Sequence, residues 1–290
     1  MNTIWSTYIQ NIGTLYESRA LRFSDIFKER YKEVFAIDGR KEILEIGCGP
    51  GALAESLGRW YPNAKVTAID RDSNFIEFAK KNAPQIQFLE GDAIALTFEN
   101  DSFDVTISNT VAEHIEPSKF YGEQYRVLKE NGVCLVLSAR KGVNISAPCI
   151  AEESDFEKEI WKRAEKYYVE NLKKYDIGAY AQNEAELPAN MERYGFRDVT
   201  TEYIMVNLTP DNPNYSKETA YAMINANRQG DLDSIESLLH VAADVVSRDE
   251  VEELKRLVNE KYEKRLALYD EGKKQWDTNM SVTMIVRGVK

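Results

Sequence analysis

The sequence predicts an α/β fold built on a mostly parallel sheet, and three observations carry that expectation. From Lys41 onward, short apolar runs alternate with helical patterns, the rhythm of parallel strand–helix units. One of the runs, Glu42–Ile46, leads into a glycine-rich loop that opens a helix. Acidic residues stand just past the ends of successive runs, where a parallel sheet binds its ligands.

Taken in order, residues 2–36 read as helical. Ile4, Trp5, Tyr8, Ile9 and Ile12 share one face, and Tyr16, Ala20, Phe23, Phe27, Tyr31 and Val34 follow at spacings of three and four, with Gly13 as the expected break. The aromatics on this face are either core or, through Trp5, Tyr8 and Tyr16, a cap closing over a ligand. The alternating part then gives Glu42–Ile46, a helix after Gly51, Lys65–Ile69, a helix over Ser73–Asn82, Ile86–Leu89, Phe103–Ser108, a helix over Pro117–Leu128, and Gly132–Ser138. Beyond Arg140 the rhythm is interrupted. Ser154–Tyr175 is predicted helical, and Asn183 with Glu186 resembles a capping box for a short helix ending at Gly195. A strand is expected over Asp198–Leu208 and a break at Thr209–Pro213. Two amphipathic helices follow at about Leu232–Val246 and Arg248–Lys273, then a closing strand over Met280–Val289. If that last strand returns to the sheet, 210–278 is an insertion inside a strand pair. The expected organisation is a helical cap (1–36), a core (37–209 and 279–290) interrupted by a helical insertion at about 144–182, and a helical insertion or lid (210–278).

Composition narrows the function classes. The chain has 290 residues, 43% hydrophobic and 29% charged, which suits a globular protein with its own core. Its formal net charge is −11, from 37 Lys+Arg against 48 Asp+Glu. Such a field repels phosphates, so neither DNA nor an anionic membrane is an expected partner. Cys48, Cys134 and Cys149 are too few and too scattered for a disulfide framework or a four-cysteine zinc site, and no metal is expected. With no long apolar run and no secretory leader pattern, the reading is a cytoplasmic protein.

The strongest chemical signal is Glu42-Ile-Leu-Glu-Ile-Gly-Cys-Gly-Pro-Gly-Ala-Leu53, with Gly47, Gly49 and Gly51 at every second position. Glycines there let a ligand touch bare backbone at a helix N-terminus. Taken alone the loop is ambiguous, because Gly47-x-Gly49-x-x-Ala52 also fits a dinucleotide fingerprint. Asp70 closes the next strand, nineteen residues after Gly51, where an acid accepts hydrogen bonds from ribose hydroxyls or simply caps a helix. Asp92 lies just beyond the third strand in Gly91-Asp92-Ala93, and Asn109 ends the fourth, Phe103-Asp-Val-Thr-Ile-Ser-Asn109.

With these elements in this order, followed by Val127-Leu-Lys-Glu-Asn-Gly-Val-Cys-Leu-Val-Leu137, residues 40–140 resemble the class I S-adenosylmethionine-dependent methyltransferases of the type that acts mainly on small molecules. The resemblance implies a Rossmann-like, mostly parallel seven-stranded sheet with helices on both faces. It also implies S-adenosylmethionine as cofactor, S-adenosylhomocysteine as product and a small-molecule acceptor. By the same resemblance, Glu45 sits near the methionine amino group, and the backbone of Gly47, Cys48, Gly49 and Gly51 holds the methionine moiety. Asp70, beside Arg71, grips the ribose. Asp92 with the Ala93 amide meets the adenine edge, and Asn109 and Thr110 line the sulfonium.

Methyl transfer from a sulfonium is an in-line displacement that needs alignment, desolvation and sometimes a base. His114, five residues after Asn109, is the candidate base or substrate orienter, the other reading being a polar residue packed at the start of the next helix. Tyr8 and Tyr16 join it as candidate substrate contacts. Three other readings stay open at this point: a cofactor-binding scaffold without turnover, a methyltransferase for protein or RNA, and an NAD-dependent oxidoreductase.

Overall fold

The computed structural model describes residues 5–140, 144–145, 147, 153–175 and 177–290, without the side chains of Tyr8, Ile9, Asn144 and Leu172. After a helical turn at Trp5–Ile9, the elements run α1 (Ile12–Arg22), α2 (Lys28–Phe35), β1 (Glu42–Ile46), α3 (Ala52–Trp60), β2 (Lys65–Asp70), α4 (Ser73–Asn82), β3 (Gln87–Glu90) and β4 (Phe103–Asn109). They continue with α5 (Pro117–Val127), β5 (Leu128–Arg140), β6 (Asn144–Ile145), α6 (Asp155–Lys174), α7 (Glu186–Arg193), β7 (Arg197–Leu208), α8 (Lys217–Val241), α9 (Arg248–Asp270) and β8 (Thr278–Val289).

The strands join in the order β3-β2-β1-β4-β5-β8, with β7 on the far edge of β8 and the two-residue β6 pairing the start of β8. The pairs from β3 through β5 are parallel, whereas β8 runs antiparallel to both neighbours. This is the expected mostly parallel sheet of seven main strands. Its central strands are buried on both faces, as parallel sheets are. Ile43, Val105, Ile107 and Leu135 face a cluster with Tyr31, Phe35, Leu57 and Trp60 from α2 and α3. Cys134 and Val136 face the other way, onto Phe120, Tyr121, Leu187 and Met191 from α5 and α7. Alternate residues of each strand therefore hold helices on opposite faces.

The chain order reverses beside β1, which has β2 on one side and β4 on the other. Loops leaving β1 and β4 diverge there and open the crevice where such sheets bind ligands. The helices α6, α8 and α9 pack into a third apolar cluster of their own, including Ile160, Ile235, Leu238, Leu254 and Val258.

Two sequence expectations need correction. Gly13 does not break the first helix. It lies in the first turn of α1, where the Asn11 side chain accepts from the Gly13 and Thr14 amides at 2.9 and 3.2 Å. The breaks come at Gln10–Asn11, just before it, and at Phe23–Ser24. The helix expected at about Leu232–Val246 begins fifteen residues earlier, at Lys217, capped by Ser216 accepting from Thr219. Ala220, Met223 and Ile224 are buried at helical spacing, but the polar stretch Asn225–Asp231 hides the periodicity. That stretch stays helical because its polar groups have tertiary partners, such as Arg228 Nε donating to Asn259 at 2.8 Å.

Candidate active site

The crevice at the strand ends contains a cavity of about 340 Å³, within the range of small-molecule sites. The loop after β1 forms its floor. Cys48 N–H donates to the Ile69 carbonyl at 2.9 Å, tying the loop to the end of β2, and Gly51 N–H donates to the Cys48 carbonyl at 3.0 Å. Gly47 and Gly51 have φ of 68° and 91°. A Cβ at Gly47 would stand 2.5 Å from Val111 Cγ2, and one at Gly51 would stand 2.9 Å from Ala79 and from the Phe88 ring. Both positions thus demand glycine twice over, by backbone conformation and by contact. Gly51→Ala is expected to destabilise the fold by at least about 1–2 kcal/mol, the cost of a left-handed residue with a Cβ. A shift in the urea midpoint checks it.

Two carboxylates flank this loop. Asp70 accepts from the Gly49 amide at 2.8 Å and from the Asp72 amide at 2.9 Å, so it holds the loop and still has lone pairs facing the cavity it lines. Burial pushes its carboxyl above the usual range, and those two amides partly offset the shift. Glu45 is 2% exposed, lines the cavity and has an Oε2 with no hydrogen-bond partner. Burial, and then the nearby Asp70, hold its carboxyl well above the carboxylate range. A buried acid left in this state fits a cationic ligand group.

The remaining walls come from other strand ends. Asp92 is exposed at the rim, its Oδ1 accepting from the Ile94 amide at 3.1 Å, with Ala93 and Arg71 also lining the cavity. Asn109 ends β4, and Thr110 follows it at φ 55°, a strained conformation for a β-branched residue, secured by its amide donating to the Leu137 carbonyl at 2.8 Å. Cys48 lines the site as a buried thiol whose pKa burial raises further, so it is no nucleophile. Cys149 lies outside the described residues.

His114 reaches the cavity from the turn after β4. Its Nδ1 accepts the Gly178 amide at 3.0 Å, and its ring meets Trp5 edge-on at 4.9 Å. Burial, and then Arg71, lower its pKa to about 4. The imidazole is therefore neutral near pH 7 with its proton on Nε2. Trp5 is held over the site because Ser6 donates to the Asp72 carboxylate through its amide at 3.0 Å and its hydroxyl at 2.9 Å.

Of the two tyrosines expected at the substrate, the Tyr8 side chain lies outside the described residues. Tyr16 is not among the residues lining the cavity. Its hydroxyl donates to Glu55 of α3 at 2.5 Å and its ring packs on Phe78, because the cavity face of α1 is Leu15–Arg19 and Tyr16 sits about 100° further round. Sequence reasoning missed Arg19, which donates to Thr110 Oγ1 at 3.2 Å. The signal was present: Leu15, Arg19 and Arg22 at i, i+4 and i+7 put two arginines on a face otherwise suited to burial.

Among the described residues no helix is long and apolar enough to cross a membrane. Residues 44–136 match a family model described as a methyltransferase domain. Fatty-acid O-methyltransferase of Mycolicibacterium smegmatis is 35% identical over 109 residues, 36% of this chain and 39% of that protein. Malonyl-acyl-carrier-protein O-methyltransferase of Halalkalibacterium halodurans is 31% identical over 131 residues, 43% and 48% of the two chains. The chain thus spans two fifths to a half of the length of these curated relatives. Phosphoethanolamine N-methyltransferase 2 of Haemonchus contortus, solved with phosphomonomethylethanolamine and S-adenosylhomocysteine, shares the fold with a TM-score of 0.55 at 16% identity, over 99% of this chain and 60% of that one. The segment similar to a methyltransferase domain runs from β1 to β5 and includes the glycine loop, Asp70, Asp92 and Asn109, the strand ends that build the cavity.

Proposed function

We propose that this protein is a methyltransferase that uses S-adenosylmethionine to methylate a small-molecule acceptor. The observation that carries the proposal is the buried Glu45 carboxyl, whose Oε2 has no partner, beside a glycine cradle and Asp70. These residues fit a ligand with a cationic amino group at one end and a ribose at the other. When bound, S-adenosylmethionine supplies a methyl group already activated on a sulfonium. Glu45 takes the amino group, and the backbone of Gly47, Cys48, Gly49 and Gly51 receives the methionine moiety. Asp70 accepts from the ribose hydroxyls next to Arg71, and Asp92 with the Ala93 amide meets the adenine edge. Asn109 and Thr110 border the reacting centre, and the strained Thr110 backbone fixes them there. Three carboxylates around this pocket favour a cationic cofactor over NAD, whose diphosphate they would repel.

The cap 1–36, the insertion at about 144–182 and the segment 210–278 together form the acceptor's cover in this reading. Trp5, Phe23, Phe75 and Tyr180 supply the aromatic wall, since all four line the cavity. The cover excludes water, which strengthens every polar contact inside.

His114 orients the acceptor rather than taking its proton. Its Nδ1 is occupied by the Gly178 amide, so Nε2–H is a donor. With a pKa of about 4 it is also a weak base. In ¹⁵N NMR spectra, the His114 ring is expected as the Nε2–H tautomer, titrating near pH 4. A ring titrating near 6.5 with a free Nδ1 would restore the base. Once an acceptor is known, His114→Gln should slow the rate by no more than about tenfold, since losing a general base typically costs 10²–10⁴.

A pH dependence follows from the carboxylates. Glu45 and Asp70 both have folded pKa values above the ordinary carboxylate range. Below those values they carry protons, which a cationic ligand must displace, so S-adenosylhomocysteine affinity should rise with pH through the elevated range and then level off. Calorimetry at several pH values on wild type and Glu45→Gln checks this, the variant binding more weakly with a shallower slope. Stabilisation by S-adenosylhomocysteine but not by NAD in thermal unfolding tests the proposal itself.

A further inference from the structure

We propose that Arg19 and Arg22 form an anion-binding pair, and that the acceptor is a small molecule held through a carboxylate or a phosphate. The inference rests on the methyltransferase reading for the word acceptor, but not for the anion site itself.

A second chamber of about 1490 Å³ lies beside the first, lined by residues of α1, α6, α8 and α9. Gln10, Leu15 and Arg19 line both, so the two spaces meet at α1. Arg22 lines the chamber one turn further along the same face. Neither arginine forms an ion pair with any described residue. Arg19 donates to the Thr110 hydroxyl, and Arg22 Nη1 donates to the Ser18 carbonyl at 3.0 Å, while the Nε of Arg22 is buried without a partner. Their environment disfavours the charge they carry. Burial first, and then the neighbouring Arg22, lower the Arg19 pKa to about 10, and burial lowers that of Arg22. Glu113 acts on Arg19 only at a distance. Guanidinium groups cannot shed their protons near neutrality, so two of them, half-buried, call for a counter-ion that no described residue provides. A planar fork of donors matches a carboxylate or phosphate best.

The position of Arg19 gives this site its use. Its guanidinium touches Thr110, directly after the strand whose end borders the reacting centre, so an anion held there stands next to the site of transfer. The rest of the chamber is mixed, with Leu15, Trp161, Val169, Ile235, Leu254 and Val258 beside its polar groups. The Thr14 hydroxyl and Asp233 Oδ2 line it as further buried atoms without partners. Of the acids that line it, Glu157 pairs with Lys261, Asp277 pairs with Arg265, and Asp231 accepts from the Tyr262 hydroxyl.

The test uses the whole protein, loaded with S-adenosylhomocysteine, titrated calorimetrically with succinate, inorganic phosphate, neutral succinamide and cationic putrescine. Succinate or phosphate should bind, and whichever binds more tightly identifies the anion. In Arg19→Gln and in Arg22→Gln that binding should weaken at least tenfold; Arg22→Gln, outside the cofactor cavity, should keep S-adenosylhomocysteine affinity within twofold of wild type, and circular dichroism shows that both variants are folded. Arg19→Lys should recover part of it. Absence of anion binding to the wild type, equal binding of succinamide, or anion binding unchanged in both variants would overturn the proposal. If S-adenosylhomocysteine itself does not bind, the methyltransferase reading fails separately, and the same titrations on the unloaded protein still decide the anion site.

Discussion

Arg265→Leu is expected to lose about 3–5 kcal/mol of stability, the cost of removing one member of a buried charge network. Arg265 is fully buried in α9 and reaches Asp211 at 2.8 Å and Asp277 at 2.7 Å. Asp211 follows β7, and Asp277 immediately precedes β8. Asp211 Oδ2 also accepts the Gln275 and Trp276 amides at 2.8 Å each. One guanidinium therefore ties both ends of the segment 210–278 to its own helix. Leucine would fill part of the space but leave two buried carboxylates without a counter-charge. Urea unfolding followed by circular dichroism should show a large fall in midpoint. Replacing Asp211, Arg265 and Asp277 together with apolar residues should cost much less than the single change, because no uncompensated charge remains. A single-variant loss below about 1 kcal/mol, the range of an exposed ion pair, would show that the network is solvated.

Asp70→Ala is expected to weaken S-adenosylhomocysteine binding by about 1–3 kcal/mol, the scale of hydrogen bonds to a charged group. The effect has two sources. The variant loses the acceptor for ribose, and it frees the Gly49 and Asp72 amides that Asp70 now receives. Asp70→Asn separates them, since its amide oxygen can still accept from the loop while its charge is gone. Calorimetry should rank wild type above Asp70→Asn above Asp70→Ala. Equal affinity for all three would remove Asp70 from the ribose site.

How far the sequence could be read depended on what kind of interaction shaped each part. The helix over Ser73–Asn82 and the strands from Glu42 to Asn109 were legible because local patterning and burial agree there. The capping of α6 by Ser154 and Glu157 is likewise local, with each residue bonding the other's backbone. The glycine loop was legible because its backbone needs are written into residue type. What escaped were features set by distant partners. The start of α8 is masked by a polar stretch whose partners lie on α9 and in the second chamber. Tyr16 was assigned to the substrate by its aromatic character, but the rotation of α1 turns it to Glu55. Arg265 gave no motif, and the spacing of Leu15, Arg19 and Arg22 was passed over, since an arginine in an amphipathic helix reads as surface until the fold buries it. His114 was found by chain position, yet its tautomer depends on Gly178, sixty-four residues away.

The central claim is that the cavity at the ends of β1, β2 and β4 is the cofactor site. The most direct measurement is a crystal structure of the protein grown with S-adenosylhomocysteine. The account predicts density for the ligand along the Gly47–Gly51 loop, with the ribose hydroxyls on Asp70, the amino group toward Glu45 and the sulfur toward Asn109 and Thr110. Density for the nucleoside elsewhere in the fold, or its ribose bound without Asp70, would contradict it.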